Sequence, residues 1–290
     1  MLKLVSTNTS LLVDGISYGM VLFLMSVGLT ITLGVMRVAN LAHCGFAMVG
    51  GYIALWMMSQ LQLGFITALA LGTVLVIVLG FVLERTLYRW VYSTPQLGQI
   101  LMTIGLAFVM VASVNLVFGS TTYSLTVPGW LQGTWQESAF TLSRYRAFII
   151  LLGLAIGVLL WAVLEFSNFG AQLRASVDNP KMARTIGIDV PKVFAVTFAV
   201  GCGLAAIGGI VGTPLLPLEP YYALRLLVPV LMVVAVGGLG SLSGSLVGAL
   251  LLGVIDTFGR YYLPTVGAFV IYFAVVVVLL ARPHGLFGRA

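Results

Sequence analysis

Polar breaks divide this chain into apolar runs, several of them close to the length that spans a bilayer. That spacing constrains the fold more than any single motif. An α-helix needs about 20 mainly apolar residues to cross the hydrocarbon core, and Ile16–Val35, Phe65–Leu83, Ile100–Phe118, Arg146–Glu165, Val193–Gly212 and Thr265–Ala281 read as such runs. Three others are less regular. Ala42–Met58 follows Asn40, begins beside His43 and contains Gly45, Gly50 and Gly51, while Leu226–Val236 and Leu246–Asp256 are short and flank the glycine-rich Gly237–Gly244. The runs are continuously apolar and lack the alternation of barrel strands. The predicted fold is therefore all-α: a polytopic helical membrane protein of eight or nine segments, some broken or re-entrant, in one transmembrane domain over residues 1–290.

Composition narrows the class further. Hydrophobic residues make up 60 % of the chain and charged residues 8 %, against about 25 % charged in a soluble domain. A water-facing surface cannot be built from so few charges, and a disordered chain would be poor in apolar residues. The net charge of +6 is scattered over the ends of apolar runs rather than gathered into a nucleic-acid-tracking stripe. Cys44 and Cys202 both sit in apolar surroundings, with no metal-ligand spacing around either. The polar start, with Asp14, lacks the apolar core of a signal peptide, so the first membrane helix is expected to direct insertion.

Lysine and arginine in short loops set the orientation. With the N-terminus outside and nine spans, Arg37, Arg85, Arg89, Arg174, Lys181, Arg184, Lys192, Arg282 and Arg289 fall in the cytoplasm. Lys3, Arg144, Arg146, Arg225 and Arg260 fall outside. Two loops are long. Gly119–Tyr145, on the outer side, carries Trp130 and Trp135 as interfacial anchors. The cytoplasmic stretch Phe166–Lys192 is too polar to insert; Asn179 and Pro180 read as a helix cap and first position, and Gly187 as a helix stop.

Polar groups inside apolar runs are costly and suggest function. Asn40 and His43 could line a substrate path, or serve as a helix cap and an interfacial histidine. Asn115 is expected to bond to a neighbouring helix. Asp256 and Arg260 have the i,i+4 spacing of an ion pair. Glu84, Glu165 and Asp256 all fall at predicted segment ends, which argues against a proton relay. Gly201, Gly203, Gly208, Gly209 and Gly212 suit close helix packing, and Gly237, Gly238, Gly240 and Gly244 suit a broken helix.

No phosphate loop, nucleophile elbow or zinc motif occurs in the chain, so no catalytic residue and no metal ligand is assigned. If transport here uses ATP, another polypeptide binds it. Three blocks then match a known family in order. GLTITLGVMRVANLAHCGFAMVGGYIA, LRASVDNPKMARTIGIDVPKVFAVTFAVGCGLAAIGGI and GGLGSLSGSLVGALLLGVIDTFGRYYLP, with the closing RPHGLFG, resemble signatures of the permease subunits of branched-chain amino acid (Liv-type) ABC importers.

The resemblance implies a permease rather than an enzyme, moving substrate by alternating access in the bacterial inner membrane. It implies a second, related permease subunit, two ATP-binding subunits and a periplasmic substrate-binding protein. No cofactor is implied for this chain; ATP and magnesium belong to the partner subunits. Carried over residue by residue, Asn40, Ala42 and His43 match the N-x-A-H core of the first signature, and Gly237, Gly238, Gly240 and Ser241 the last. Both groups are expected on the substrate pathway. Arg174, Asn179, Met182, Ala183 and Gly187 belong to the loop at 166–192 that couples to the ATPase. Where the family has Gly and then an acidic residue after the histidine, this chain has Cys44 and Gly45. The substrate stays open between a branched-chain amino acid and the urea, amides or aromatic carboxylates of relatives. The alternative reading is a secondary transporter or channel without an ATPase partner.

Overall fold

The computed structural model describes residues 2–36, 40–91, 94–136 and 141–288. Each of the nine expected segments is a helix: α1 Leu2–Met36, α2 His43–Gln60, α3 Phe65–Leu83, α4 Gln96–Phe118, α5 Arg144–Phe166, α8 Val190–Gly212, α9 Tyr222–Gly237, α10 Leu242–Tyr262 and α11 Gly267–Ala281. Two short helices, α6 Asn168–Asp178 and α7 Pro180–Thr185, lie between α5 and α8. A two-stranded antiparallel ribbon, β1 Thr134–Gln136 with β2 Thr141–Ser143, precedes α5 and aligns Thr134 with Ser143.

Six helices are long and apolar enough to cross a membrane: those within Thr7–Gly34, Phe65–Tyr88, Gln96–Phe118, Arg144–Phe166, Val190–Gly212 and Leu242–Tyr262. The chain is a multi-pass helical membrane protein. The sequence reading expected eight or nine segments; six of the described helices reach spanning length, and Leu242–Tyr262 is among them whereas the run at Thr265–Ala281 is not. α10 runs for 21 residues because Ser241 caps its start and Asp256 pairs with Arg260 near its end, so neither the serines nor the charges interrupt it. α11 is only 15 residues, since the turn at Pro264 delays its start. α1 is the longest helix, at 35 residues, or about 52 Å at 1.5 Å per residue. It extends well past the Ile16 expected from hydropathy.

Packing follows side-chain size rather than apolarity. The most apolar stretch of α8 is 78 % buried, whereas that of α5, the more apolar of the two, is only 17 % buried. α8 is central because its glycines let neighbours reach its backbone. A Cβ on Gly28 of α1 would strike the Gly201 carbonyl, and one on Gly209 would strike the Ala47 carbonyl of α2. α4 and α5 instead present Leu101, Phe108, Leu116, Leu151, Val158 and Leu159 outward, as helices facing lipid must.

The loops gather at two ends. At the first, Tyr123 and Leu218 exchange backbone hydrogen bonds of 2.9 and 2.8 Å, tying the α4–α5 connection to the α8–α9 connection. At the second end lie α6, α7, the α9–α10 break and the segment after α11. Arg37 and Arg289, counted among the basic residues of this end, are outside the described residues.

Candidate functional site

The break between α9 and α10 is built from glycine. Gly238 and Gly240 hold φ of +98° and +77°, a region that favours glycine because a Cβ clashes there. Ser241 Oγ accepts from Gly244 N at 3.0 Å and so caps α10. The helix end is closed from elsewhere in the chain. Leu286 N donates to Val236 O at 2.7 Å and Phe287 N to Gly237 O at 3.2 Å, satisfying carbonyls that the end of α9 would otherwise leave unpaired. The closing Pro283–Gly288 thus acts as a backbone cap.

The segment between α5 and α8 is capped at every turn. Ser167 accepts from Gly170 N at 3.1 Å, Asn179 from Met182 N at 3.0 Å and Asp189 from Lys192 N at 3.0 Å. Gly187, at φ +90°, closes α7: its N–H reaches Arg184 O at 3.1 Å and that of Ile188 reaches Ala183 O at 3.0 Å. This pair of bonds is a Schellman stop. Ala183 is buried, whereas Met182 and Ile186 are 60 % and 68 % exposed. Lys181 and Arg184 are exposed beside them. Arg174 reaches back to the Leu164 carbonyl and lies 4.0 Å from Glu165, tying α6 to the end of α5.

These two regions face one cavity of about 710 Å³, lined among others by Gly34, Trp161, Arg174, Asp178, Gly240 and Ser241. Gly240 and Ser241 from the last signature thus meet Arg174 from the middle one, while Gly237 and Gly238 lie behind the wall. Asn179, Met182, Ala183 and Gly187 lie outside this lining.

Asn40, Ala42 and His43 stand apart from it. All three are buried. Asn40 Oδ1 accepts from Tyr88 Oη at 2.8 Å and from Ala42 N at 3.1 Å, and His43 Nε2 lies 3.0 Å from Met25 O. Tyr88 reaches Asn40 from a single π-helical stretch, Glu84–Tyr88, that continues α3. Glu84 is therefore inside a helical run, 3 % exposed and 3.9 Å from Arg85, and Asp256 likewise lies inside α10 rather than at a segment end. Asn115 is exposed and accepts from Ser120 at 3.0 Å, a bond within its own helix terminus instead of one between helices.

A second cavity, also about 710 Å³, opens at the opposite end among α1, α5, α9, α10 and α11. Its lining includes Asp14, Tyr18, Arg146, Arg225, Asp256 and Arg260. Arg146 pairs with Asp14, Arg260 Nε donates to Asp256 Oδ2 at 2.7 Å, and Arg225 pairs with Glu219 at 2.6 Å. Sequence spacing predicted only the contact of Arg260 with Asp256; that of Arg146 with Asp14 joins residues far apart in the chain.

With this geometry in place, residues 11–280 match the family described as the permease component of the branched-chain amino acid transport system. The chain belongs to that family. Its similarity extends along nearly the whole length of individual members. It is 28 % identical to the high-affinity branched-chain amino acid transport system permease protein LivH of Salmonella typhimurium, over 95 % of this chain and 94 % of that protein. It is 29 % identical to LivH of Escherichia coli K12 over the same shares. With the permease protein BraD of Pseudomonas aeruginosa it shares 27 % over 96 % and 95 %. Among solved structures, PsaBC from Streptococcus pneumoniae in complex with Fab aligns at a TM-score of 0.48 and 14 % identity, over 94 % of this chain and 89 % of that one. Permease proteins are transport components, and this chain is one of them rather than an enzyme.

Proposed function

We propose that this chain is one membrane subunit of an ATP-driven importer in the bacterial inner membrane, and that the complex carries branched-chain amino acids. Family membership over 270 of 290 residues carries the reading. The relatives' names supply the substrate class. The working complex adds a second permease subunit, two ATP-binding subunits that hold ATP and magnesium, and an external binding protein. A single domain over residues 1–290, with the α6–α7 segment on its cytoplasmic side, is part of the same reading.

The described residues suit a coupling role. Met182 and Ile186 give an ATPase subunit an exposed apolar contact flanked by Lys181 and Arg184, on helices whose ends are fixed by Asn179 and Gly187. A push on α6–α7 reaches α5 through Arg174 and the wall of the shared cavity through Gly240 and Ser241. Alternating access would then open this cavity and the opposite one in turn. Asn40, Ala42 and His43 serve the pathway by fixing where α2 starts against α1 and α3.

The test is purification of the native complex from detergent, identification of the co-purifying subunits, and leucine uptake in proteoliposomes. Replacing Met182 and Ile186 together by Ser should leave membrane insertion intact while lowering leucine-stimulated ATP hydrolysis at least tenfold. Leucine uptake by this chain reconstituted alone, without an ATPase, would overturn the proposal.

A further inference from the structure

The charged cavity at the Tyr123–Leu218 end is lined by a carboxylate of which the protein uses one oxygen only. Asp256 has a side chain only 7 % exposed, and it engages Arg260 through Oδ2. Its other oxygen, Oδ1, is buried and has no hydrogen-bond partner among the described residues. An exposed i,i+4 pair needs no second buried oxygen, and a buried acceptor left without a donor is costly. Arg260 is bonded among the described residues only through Nε, and its side chain is 60 % exposed. The two terminal nitrogens of its guanidinium therefore remain available as donors.

Resting on the importer reading above, we infer that this cavity receives the polar head of an α-amino acid. Asp256 Oδ1 accepts from its ammonium group, and the terminal nitrogens of Arg260 donate to its carboxylate. An ammonium carries three donors and a carboxylate takes a guanidinium side by side, so one zwitterion fits across a pair already set 2.7 Å apart. The remainder of the cavity suits an aliphatic tail, since Leu215, Leu216, Pro217, Leu226 and Pro229 share the lining. Its volume lies within the roughly 300–1,000 Å³ usual for small-molecule sites. Asp256 sits six residues before Tyr262 ends α10, about 9 Å below that end. The cavity is therefore a first stop inside the membrane domain, distinct from the glycine-lined cavity at the other end.

The experiment uses the complete complex in proteoliposomes and measures L-leucine uptake. Two half-molecule competitors are added: isoamylamine, which has only the ammonium, and 4-methylpentanoate, which has only the carboxylate. Asp256→Asn should raise the half-saturating leucine concentration at least tenfold and abolish competition by the amine while keeping that by the acid. Arg260→Gln should show the reverse, and Asp256→Glu should recover part of the amine effect. Co-purification with the partner subunits confirms assembly of each variant. Should Asp256→Asn fail to assemble, the exposed Arg260→Gln variant decides alone. Unchanged leucine kinetics in Asp256→Asn, or equal loss of both competitors in either variant, overturns the inference and leaves the importer reading standing. Uptake of urea or benzoate in place of leucine by the unmodified complex overturns both.

Discussion

The two ends of this bundle hold their cavities with different chemistry. Around the cavity bearing Asp14 and Asp256, the contacts are ion pairs of partly exposed arginines, two with the partly exposed Asp14 and Glu219 and one with the buried Asp256. Around the cavity bearing Gly240 and Ser241, one loose ion pair, Arg174 with Glu165, accompanies close backbone contacts: Gly34 against Gly240, Gly237 against Gly244, and Gly238 against Gly288. Half-exposed ion pairs contribute little, about 0–1 kcal/mol each, and exchange partners readily. Backbone packed on backbone tolerates almost no displacement. The charged end is thus suited to meeting changing ligands, and the glycine end to transmitting movement as a unit.

The sharpest way to break this contrast is to add a side chain at the glycine end. Gly240→Val combines the strain of positive φ with a collision against the Gly34 backbone, and is expected to cost about 2–5 kcal/mol. The amount of monodisperse complex after detergent extraction should fall at least tenfold; normal extraction would show that the break is pliable. A smaller loss is expected from Tyr88→Phe, which removes the bond to Asn40 and should cost about 1 kcal/mol, read as a lower midpoint in thermal unfolding. The smallest effect belongs to the charged end. A double-mutant cycle of Asp14→Asn and Arg146→Gln should give a coupling of about 0.2–1 kcal/mol that shrinks as salt is raised. A large, salt-independent coupling there would erase the distinction between the ends.

Much of the membrane architecture was legible in the sequence because its signals are local. All nine segments, the glycine break after Gly237, the Asn179 cap and the Gly187 stop each depend on a few neighbouring residues, and each was read from them. The misreadings arise where partners are distant in the chain. α10 looked short because Asp256 and Arg260 read as charges that would end it, when they neutralise one another on one helix face. Asn115 looked like a bridge between helices because nothing local shows that its side chain is exposed. The contact of Arg146 with Asp14, the reach of Tyr88 to Asn40 through a π-turn, and the return of Pro283–Gly288 to α9 have no periodicity or spacing that could announce them. The same limit applies to the sites. Signature residues came out as three separate groups, and only the folded chain shows that Arg174 shares a cavity with Gly240 while Asn40 and His43 belong to the packing of α2.

The cap that Leu286 and Phe287 place on α9 also sets an order of events during synthesis. The Val236 and Gly237 carbonyls are synthesised before α10 and α11, yet their donors come after both helices. Until then the end of α9 is exposed to water or to lipid headgroups, and the break cannot take its final shape. Closure of the glycine end is therefore a late step of biogenesis. A chain truncated within α11 would keep most of the lining of its charged cavity and lack the segment that seals the opposite end.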